Sequence, residues 1–109
     1  ADAVRGFAND WDFSMEGRMR QSERMKMYAD FEKSWNRSSI CDFVCPTNAT
    51  REHFNADITI WMDTIEEGRF EDTNKLFEKP TNADYHFKHW LSDKDIEALA
   101  NGLKEEIST

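Results

Sequence analysis

Apolar residues recur through residues 15–35 at steps of three, four and seven positions, with charged residues between them. This period predicts an amphipathic helix. Ser14 stands where a side-chain oxygen can cap the first turn, and Glu16 lies near the positive end of the helix dipole. We expect the apolar stripe of this helix to pack into the core, and its members are Met15, Met19, Tyr28, Phe31 and Trp35.

Shorter apolar runs predict strands at residues 39–44, 56–62 and 83–87. The run at 56–62 is the clearest of the three, because both of its alternating faces suit a strand that is covered on both sides. Pro46 ends the first run, since proline lacks the N–H group that a central strand needs.

Helical segments separate these predicted strands. A short helix from Thr47 or Asn48 to Phe54 follows the first strand, and residues 64–78 continue as helical or irregular chain. A last helix follows the capping residue Ser92, and its apolar stripe is Ile96, Leu99, Leu103 and Ile107. The alternation of helices and strands predicts an α/β fold, with helices flanking a parallel sheet, in one domain over residues 1–109.

The charge of the chain bears on its partners. Its 109 residues are 39% hydrophobic, a third of them are charged, and the formal net charge is −8. Such an acidic chain is a poor general binder of nucleic acid, because phosphate affinity comes from clustered Lys and Arg. Basic residues nevertheless crowd the first quarter, where a cationic pocket would suit a small anion; ordinary solvated helix positions are the alternative interpretation. They are Arg5, Arg18, Arg20, Arg24 and Lys26.

The two cysteines indicate a reducing compartment. Cys41 and Cys45 lie four positions apart, and in an extended segment this separation is too large for a disulfide. No second pair completes a zinc site, so we expect reduced thiols without a metal. The sequence shows neither a signal peptide nor an apolar run of membrane length, and we expect a cytoplasmic protein that binds no membrane.

Three groups of polar residues follow the predicted strands or precede the first helix, at the edge where parallel sheets bind ligands. Arginine can hold phosphate or sulfate oxygens through two parallel bonds, a carboxylate can orient an acceptor hydroxyl, and phenylalanine can stack on adenine. The first group is Asp2 with Arg5, followed by Phe13, Arg18, Gln21 and Arg24; the second comprises 42–47 with Arg51, and the third comprises Asp63, Thr64, Arg69 and 72–77. Their chemistry fits phosphoryl transfer.

These motifs, in this order, resemble the adenylylsulfate kinases. Asp-Ala-Val-Arg at 2–5 and Asp-Phe-Ser-Met-Glu-Gly-Arg at 12–18 look like the Asp-Asn-x-Arg and Gly-Phe-Ser-x-x-Asp-Arg of that family. Phe-Val-Cys-Pro at 43–46, with a later Arg, is similar to its Phe-Ile-Ser-Pro, and Lys-Leu-Phe at 75–77 to its Lys-Gly-Leu-Tyr. A divergent branch shares Asp-Phe-Val-Cys-Pro-Thr and Ile-Trp-Met-Asp-Thr-Ile with this chain, and the resemblance runs to about residue 90.

The resemblance implies transfer of the γ-phosphate of ATP, with Mg²⁺, to the 3′-hydroxyl of adenylylsulfate or a similar nucleotide. Asp2 would be the catalytic residue that orients the acceptor, Arg5 and Arg18 would hold its phosphosulfate, and Phe13 would stack on its adenine. The other implied substrate-binding residues are Gln21, Arg24, Asp42, Phe43, Val44, Cys45, Pro46, Lys75, Leu76 and Phe77, and the implied lid residues are Arg69 and Asn74. Gln21 stands for the Asn of the family and Cys45 for its Ser, which leaves the acceptor open.

One motif of that family does not occur in these 109 residues, the phosphate-binding loop Gly-x-x-x-x-Gly-Lys-Ser/Thr. In P-loop kinases this loop precedes the Asp-x-x-Arg group, so we expect a C-terminal portion of such a domain, with the loop and its strand upstream. Two alternatives stay open, a P-loop kinase for another small acceptor and a non-catalytic binding domain that has lost the loop. The expected partner is a small anionic nucleotide rather than a nucleic acid, and a homodimer stays open.

Overall fold

Side-chain caps fix where three of the described helices begin. The computed structural model describes residues 1–64 and 76–108, with helices α1 (Asp2–Ala8), α2 (Met15–Ser34), α3 (Asn48–Phe54) and α4 (Asp93–Ser108). Ser14 accepts a bond from the amide of Gly17, and Thr47 forms a reciprocal capping box with Thr50. The side chain of Ser92 accepts from the amide of Asp95 at 3.2 Å. The helices predicted after Ser14, near Thr47 and after Ser92 are therefore confirmed.

The described strands are short and form one pair. Strands β1 (Ile60–Met62) and β2 (Tyr85–Phe87) run parallel, and Trp61 lies opposite His86. The rings of these two residues stack with centroids 4.0 Å apart. The strand predicted at 83–87 is confirmed in its last part, and the one predicted at 56–62 is reduced to its last three residues.

The predicted α/β fold, a parallel P-loop kinase-like sheet flanked by helices, is wrong. The described chain is mostly helical, and its sheet has two strands of three residues. Residues 39–44, predicted as a strand, have no regular structure, and the ring of Phe43 packs against Phe54 of α3 at 5.3 Å. Residues 2–5, which the resemblance placed at a strand end, form the first turn of α1, where the amide of Arg5 bonds to the carbonyl of Ala1.

Burial in the described chain centres on the contact of α2 with α1 and α3. The one buried large hydrophobic side chain is Met25, and the buried polar ones are Arg5, Arg18, Gln21, Ser22, Thr47 and Thr50. The stripe predicted for α2 is wrong as a core, since Tyr28, Phe31 and Trp35 are exposed. At 1.5 Å per residue the 20-residue α2 extends well past the seven-residue helices α1 and α3 that pack on it, so these two helices do not cover its last turns. No helix among the described residues is long and apolar enough to cross a membrane.

Candidate functional site: an arginine cluster around Phe13

Two guanidinium groups lie against the ring of Phe13, in the connection between α1 and α2. The Arg5 guanidinium carbon is 4.4 Å from the ring centroid, and that of Arg18 is 5.5 Å away. Cations at such distances are attracted by the π-electrons of the ring. Phe13 itself is 47% exposed, so part of its ring remains open to a ligand. The sequence prediction that these three residues share one site agrees with this arrangement.

Backbone carbonyls hold both of these arginines in place. Arg5 is 5% exposed and donates from Nη1 to the carbonyls of Asp10 at 3.0 Å and Asp12 at 3.2 Å. Arg18 is equally buried and donates from Nε to the carbonyl of Phe13 at 2.9 Å. Burial lowers the pKa of the Arg5 guanidinium. The loop between α1 and α2 is therefore folded around two fixed positive charges.

Gln21 and Arg24 extend the cluster along α2. The side-chain amide of Gln21 donates to the carbonyl of Ala1 at 3.1 Å, and its oxygen accepts from Nη2 of Arg24 at 2.9 Å and from Nε at 3.1 Å. Arg24 also donates from Nη1 to Asp10 Oδ2 at 2.9 Å. Because Gln21 is buried, it fixes the direction of the Arg24 side chain.

Asp10, which the sequence analysis did not assign, and Arg20, which it named only among the crowded basic residues, complete the cluster. Arg20 donates from Nε to Asp10 Oδ2 at 2.9 Å and from Nη2 to Asp12 Oδ2 at 2.8 Å. The bond from Arg20 holds the pKa of Asp10 far below its usual range. For Asp12, bonds from Ser14 and then from Arg20 lower the pKa to about 2. The sequence signal that could have indicated Asp10 is its place among acidic residues, between two helices that carry arginines.

Asp2 and Asp42, the acidic residues predicted for the site, lie less close to it. Asp2 is exposed in the first turn of α1, one turn before Arg5 on the same helix face. Asp42 is exposed in the irregular segment 37–46. The described contacts of Arg5 and Arg24 do not include it. The expectation of a single cleft that also contains Asp42 therefore gains no support.

The second predicted group forms a separate arrangement at the start of α3. Pro46 is buried, and its carbonyl accepts from the amide of Glu78 at 2.7 Å and from Nη2 of Arg51 at 3.2 Å. The Arg51 guanidinium lies 5.4 Å from the ring centroid of Phe77. These contacts join Pro46 to the segment that contains Phe77. Leu76 beside it is half-buried.

Val44 and Cys45 come directly before Pro46 in the chain. Val44 is exposed, whereas Cys45 is half-buried in the left-handed region with φ 44°. A non-glycine residue with positive φ is uncommon and carries some backbone strain. Burial raises the pKa of the Cys45 thiol. Cys41 and Cys45 are both free thiols.

Helix α2 lies between the two groups and contacts both. Gln21 belongs to the arginine cluster, and the next residue, Ser22, donates its hydroxyl to the carbonyl of Thr50 at 3.1 Å. Thr50 belongs to the capping box that starts α3 beside Pro46. Three predicted site residues, Arg69, Asn74 and Lys75, lie outside the described residues.

The features by which P-loop kinases hold ATP and Mg²⁺ are not found in the part of the chain that the structure describes. The sequence contains no glycine-rich phosphate loop of the P-loop type. Within residues 1–64 and 76–108, no three His, Cys, Asp or Glu side chains are grouped as metal ligands would be.

Comparison with known protein families, with curated proteins and with solved structures found no match for this chain. The likeness to adenylylsulfate kinases accordingly rests on the sequence motifs alone. What the chain does must be argued from the arginine cluster.

Proposed function

We propose that this protein binds adenylylsulfate, or a similar small anionic nucleotide, at the arginine cluster formed by Arg5, Phe13, Arg18, Gln21 and Arg24. The observation that carries the proposal is the placement of two guanidinium groups against the half-exposed ring of Phe13. A nucleotide ester offers two parts that complement this site. Its flat base can stack on the Phe13 ring, and its anionic group can pair with the guanidinium groups. Arginine in a partly buried site binds phosphate or sulfate oxygens through short, charge-assisted bonds.

Charge supports a small ligand over a large one. The chain carries a net charge of −8, so a long polyanion would be repelled by most of its surface. Arg20 and Arg24 pair with the carboxylates of Asp10 and Asp12, whereas Arg5 and Arg18 donate to backbone carbonyls, so guanidinium groups outnumber carboxylates at the cluster. A molecule the size of one nucleotide can use this local charge without meeting the acidic remainder.

In this proposal the nucleotide is the acceptor of an ATP-dependent kinase, which transfers phosphate to its 3′-hydroxyl. Asp2 lies one turn before Arg5 and would orient that hydroxyl, while Arg5 and Arg18 hold the anion. The chain's own part is therefore to bind and orient the acceptor. Reduced cysteines and this chemistry fit a cytoplasmic enzyme of sulfate assimilation.

A second candidate is binding without catalysis, which requires only the contacts of the arginine cluster. Both candidates predict nucleotide binding, and they differ in turnover. Formation of ADP and 3′-phosphorylated adenylylsulfate by the protein would support the kinase. Tight binding of adenylylsulfate without turnover would support the binding domain.

Calorimetric titration with adenylylsulfate tests the shared part of the proposal. Replacing Arg18 with Ala should weaken binding by about ten- to a hundredfold, because a charge-assisted bond contributes roughly 1.5–3 kcal/mol. The matched control is Arg37→Ala. Arg37 is an exposed arginine beyond the end of α2, and it pairs with Glu32 in the last turn of that helix. That variant should bind like the wild type.

Arg18 is buried, so thermal unfolding must accompany the titration. If Arg18→Ala is unfolded, Arg18→Lys provides the test, because it keeps the charge and loses the paired bonds. Equal affinity of the wild type and a folded Arg18 variant would make Arg18 a structural residue and would refute this site.

A further inference from the structure

We propose that Asp10 is a built-in competitor for the arginine cluster, a carboxylate that occupies the anion position until a ligand displaces it. The proposal rests on the proposed function in one respect, that these arginines bind an anion. It adds a regulating residue to that site. Asp10 was not among the predicted binding residues, and its role follows from the contacts of its two carboxylate oxygens and its carbonyl.

Asp10 contacts three arginines from two helices. Its Oδ2 accepts from Nε of Arg20 and from Nη1 of Arg24, each at 2.9 Å, and its backbone carbonyl accepts from Nη1 of Arg5 at 3.0 Å. Its Oδ1 accepts from Nη2 of Arg20 at 3.4 Å and from the amide of Asp12 at 3.2 Å. The carboxylate therefore lies between Arg20 and Arg24, and the backbone carbonyl of the same residue is bonded to Arg5.

A sulfate or phosphate ester would use the same donors. The guanidinium of Arg24 is already directed by Gln21, which accepts from its Nε and Nη2, so Nη1 is the donor turned toward Asp10. An external anion that takes a bond from Nη1 must displace the Asp10 carboxylate or share the donor with it. Because two anions close to one guanidinium repel each other, a bound ligand moves the Asp10 carboxylate away from Arg24. The cost of breaking the bond between Asp10 and Arg24 lowers the apparent affinity of the ligand.

The loop that carries Asp10 has the features of a positioned competitor. The side chain of Asp10 is 15% exposed, and the preceding residue, Asn9, ends α1 in a left-handed conformation with φ 50°. This turn brings the chain back toward α2, where Arg20 and Arg24 lie one turn apart on the same face. The carboxylate is thus held against the arginines by the loop itself as well as by charge.

Titration with inorganic sulfate, followed by NMR, tests the proposal on the intact chain. The variant Asp10→Asn keeps the shape of the side chain and removes its charge. We expect it to bind sulfate about tenfold more tightly than the wild type, which corresponds to about 1.4 kcal/mol. The matched control is Asp57→Asn, since Asp57 carries the same charge and pairs with the exposed Lys33. Its sulfate affinity should equal that of the wild type.

Unchanged or weaker sulfate binding by a folded Asp10→Asn variant would overturn the proposal, as would equal gains in both variants. If Asp10→Asn does not fold, the wild type decides. Saturation with sulfate should shift the Asp10 carboxyl carbon and the Arg24 side-chain nitrogens with one common midpoint. No shift of either group at saturation, or no sulfate binding at all, would refute the competitor role.

A parallel titration with adenylylsulfate separates this proposal from the proposed function. If Asp10→Asn tightens sulfate binding while no form prefers adenylylsulfate over sulfate, the competitor role holds and the nucleotide assignment fails. If adenylylsulfate binds and depends on Arg18, but Asp10→Asn changes neither affinity, the nucleotide assignment holds and the competitor role fails.

Discussion

The two halves of this chain differ in what they bury. Residues 1–54 contain α1, α2 and α3 and include every buried residue of the described chain. In residues 55–64 and 76–107, which contain β1, β2 and most of α4, each residue is exposed or half-buried. The second region nevertheless carries the regular apolar patterns, at Ile58, Ile60 and Met62 and along α4. Hydrophobic periodicity alone therefore did not decide what became buried.

Polar bonds, rather than a large apolar core, hold the first region together. Buried arginines there donate to backbone carbonyls, and the hydroxyl of Ser22 in α2 donates to the carbonyl of Thr50 in α3. The second region contains a parallel pair of three-residue strands, and such an isolated pair is marginal in water. We therefore expect substitutions in the first region to cost more stability than matched substitutions in the second.

The largest effect should come from Gly17→Ala, near the start of α2. A Cβ atom at this position would lie 2.6 Å from the backbone carbon of Asp12 and even closer to its carbonyl oxygen. Since backbone cannot move aside like the end of a side chain, we expect a loss of about 3 kcal/mol in unfolding free energy. Urea unfolding measures it, and a loss below about 0.5 kcal/mol would mean that the loop has room to move.

Thr50→Val should have the next largest effect. Thr50 is fully buried, its Oγ1 accepts from the amide of Thr47 at 3.1 Å, and its hydroxyl donates to the Thr47 carbonyl at 2.8 Å. Valine has nearly the same shape and leaves both buried groups without this partner, at a cost of about 2 kcal/mol. Thr81→Val, at an exposed position of the second region, is the control and should change stability by less than about 0.5 kcal/mol. Equal losses in both variants would contradict the contrast between the regions.

Local signals in the sequence predicted the elements better than the fold. Caps at Ser14, Thr47 and Ser92 act within one turn, so the sequence alone locates the helix starts. The strand predicted at 39–44 does not form. A strand needs a second strand to pair with, and local sequence signals do not show whether such a partner is present. The face of α2 that is buried, with Arg18, Gln21, Ser22 and Met25, is largely polar, and the apolar stripe could not indicate it.

The candidate site shows the same division. Motif resemblance located Arg5, Phe13, Arg18, Gln21 and Arg24, and these residues do lie together. It did not locate Asp10, because a carboxylate that pairs with arginines across a turn has no fixed spacing from them. Asp42 was assigned to the same site because a strand was predicted at 39–44, and that segment has no regular structure.

A smaller effect of opposite sign is expected from Gly102→Ala in α4. The added methyl group would meet the hydroxyl of Tyr85 at 3.8 Å, an ordinary contact. Alanine is favoured over glycine inside a helix, so unfolding free energy should rise by about 0.5–1 kcal/mol. Helix content from circular dichroism during thermal unfolding provides the measurement. A loss of stability would show that α4 packs more tightly on β2 than its exposure indicates.

The smallest effects should appear at the extremes of pH, and they should differ between the two regions. In the first region the pKa of Asp12 is lowered to about 2, mainly by bonds from Ser14 and then by Arg20. A carboxyl whose folded pKa lies below its usual value stabilises the fold above about pH 4, and that contribution disappears as the pH falls toward 2.

In the second region the Tyr85 hydroxyl donates to Glu106 at 2.6 Å, and this bond raises the pKa of Tyr85. A raised pKa stabilises the fold below about pH 10, and the contribution is lost as the pH rises through the folded pKa. Residue-specific NMR during acid and alkaline titration should therefore show the connection of α1 to α2 loosening in acid and the contact of α4 with β2 loosening in base. Asp12→Asn should flatten only the acid response and Tyr85→Phe only the alkaline one, whereas one variant changing both would show that the two regions unfold as a single unit.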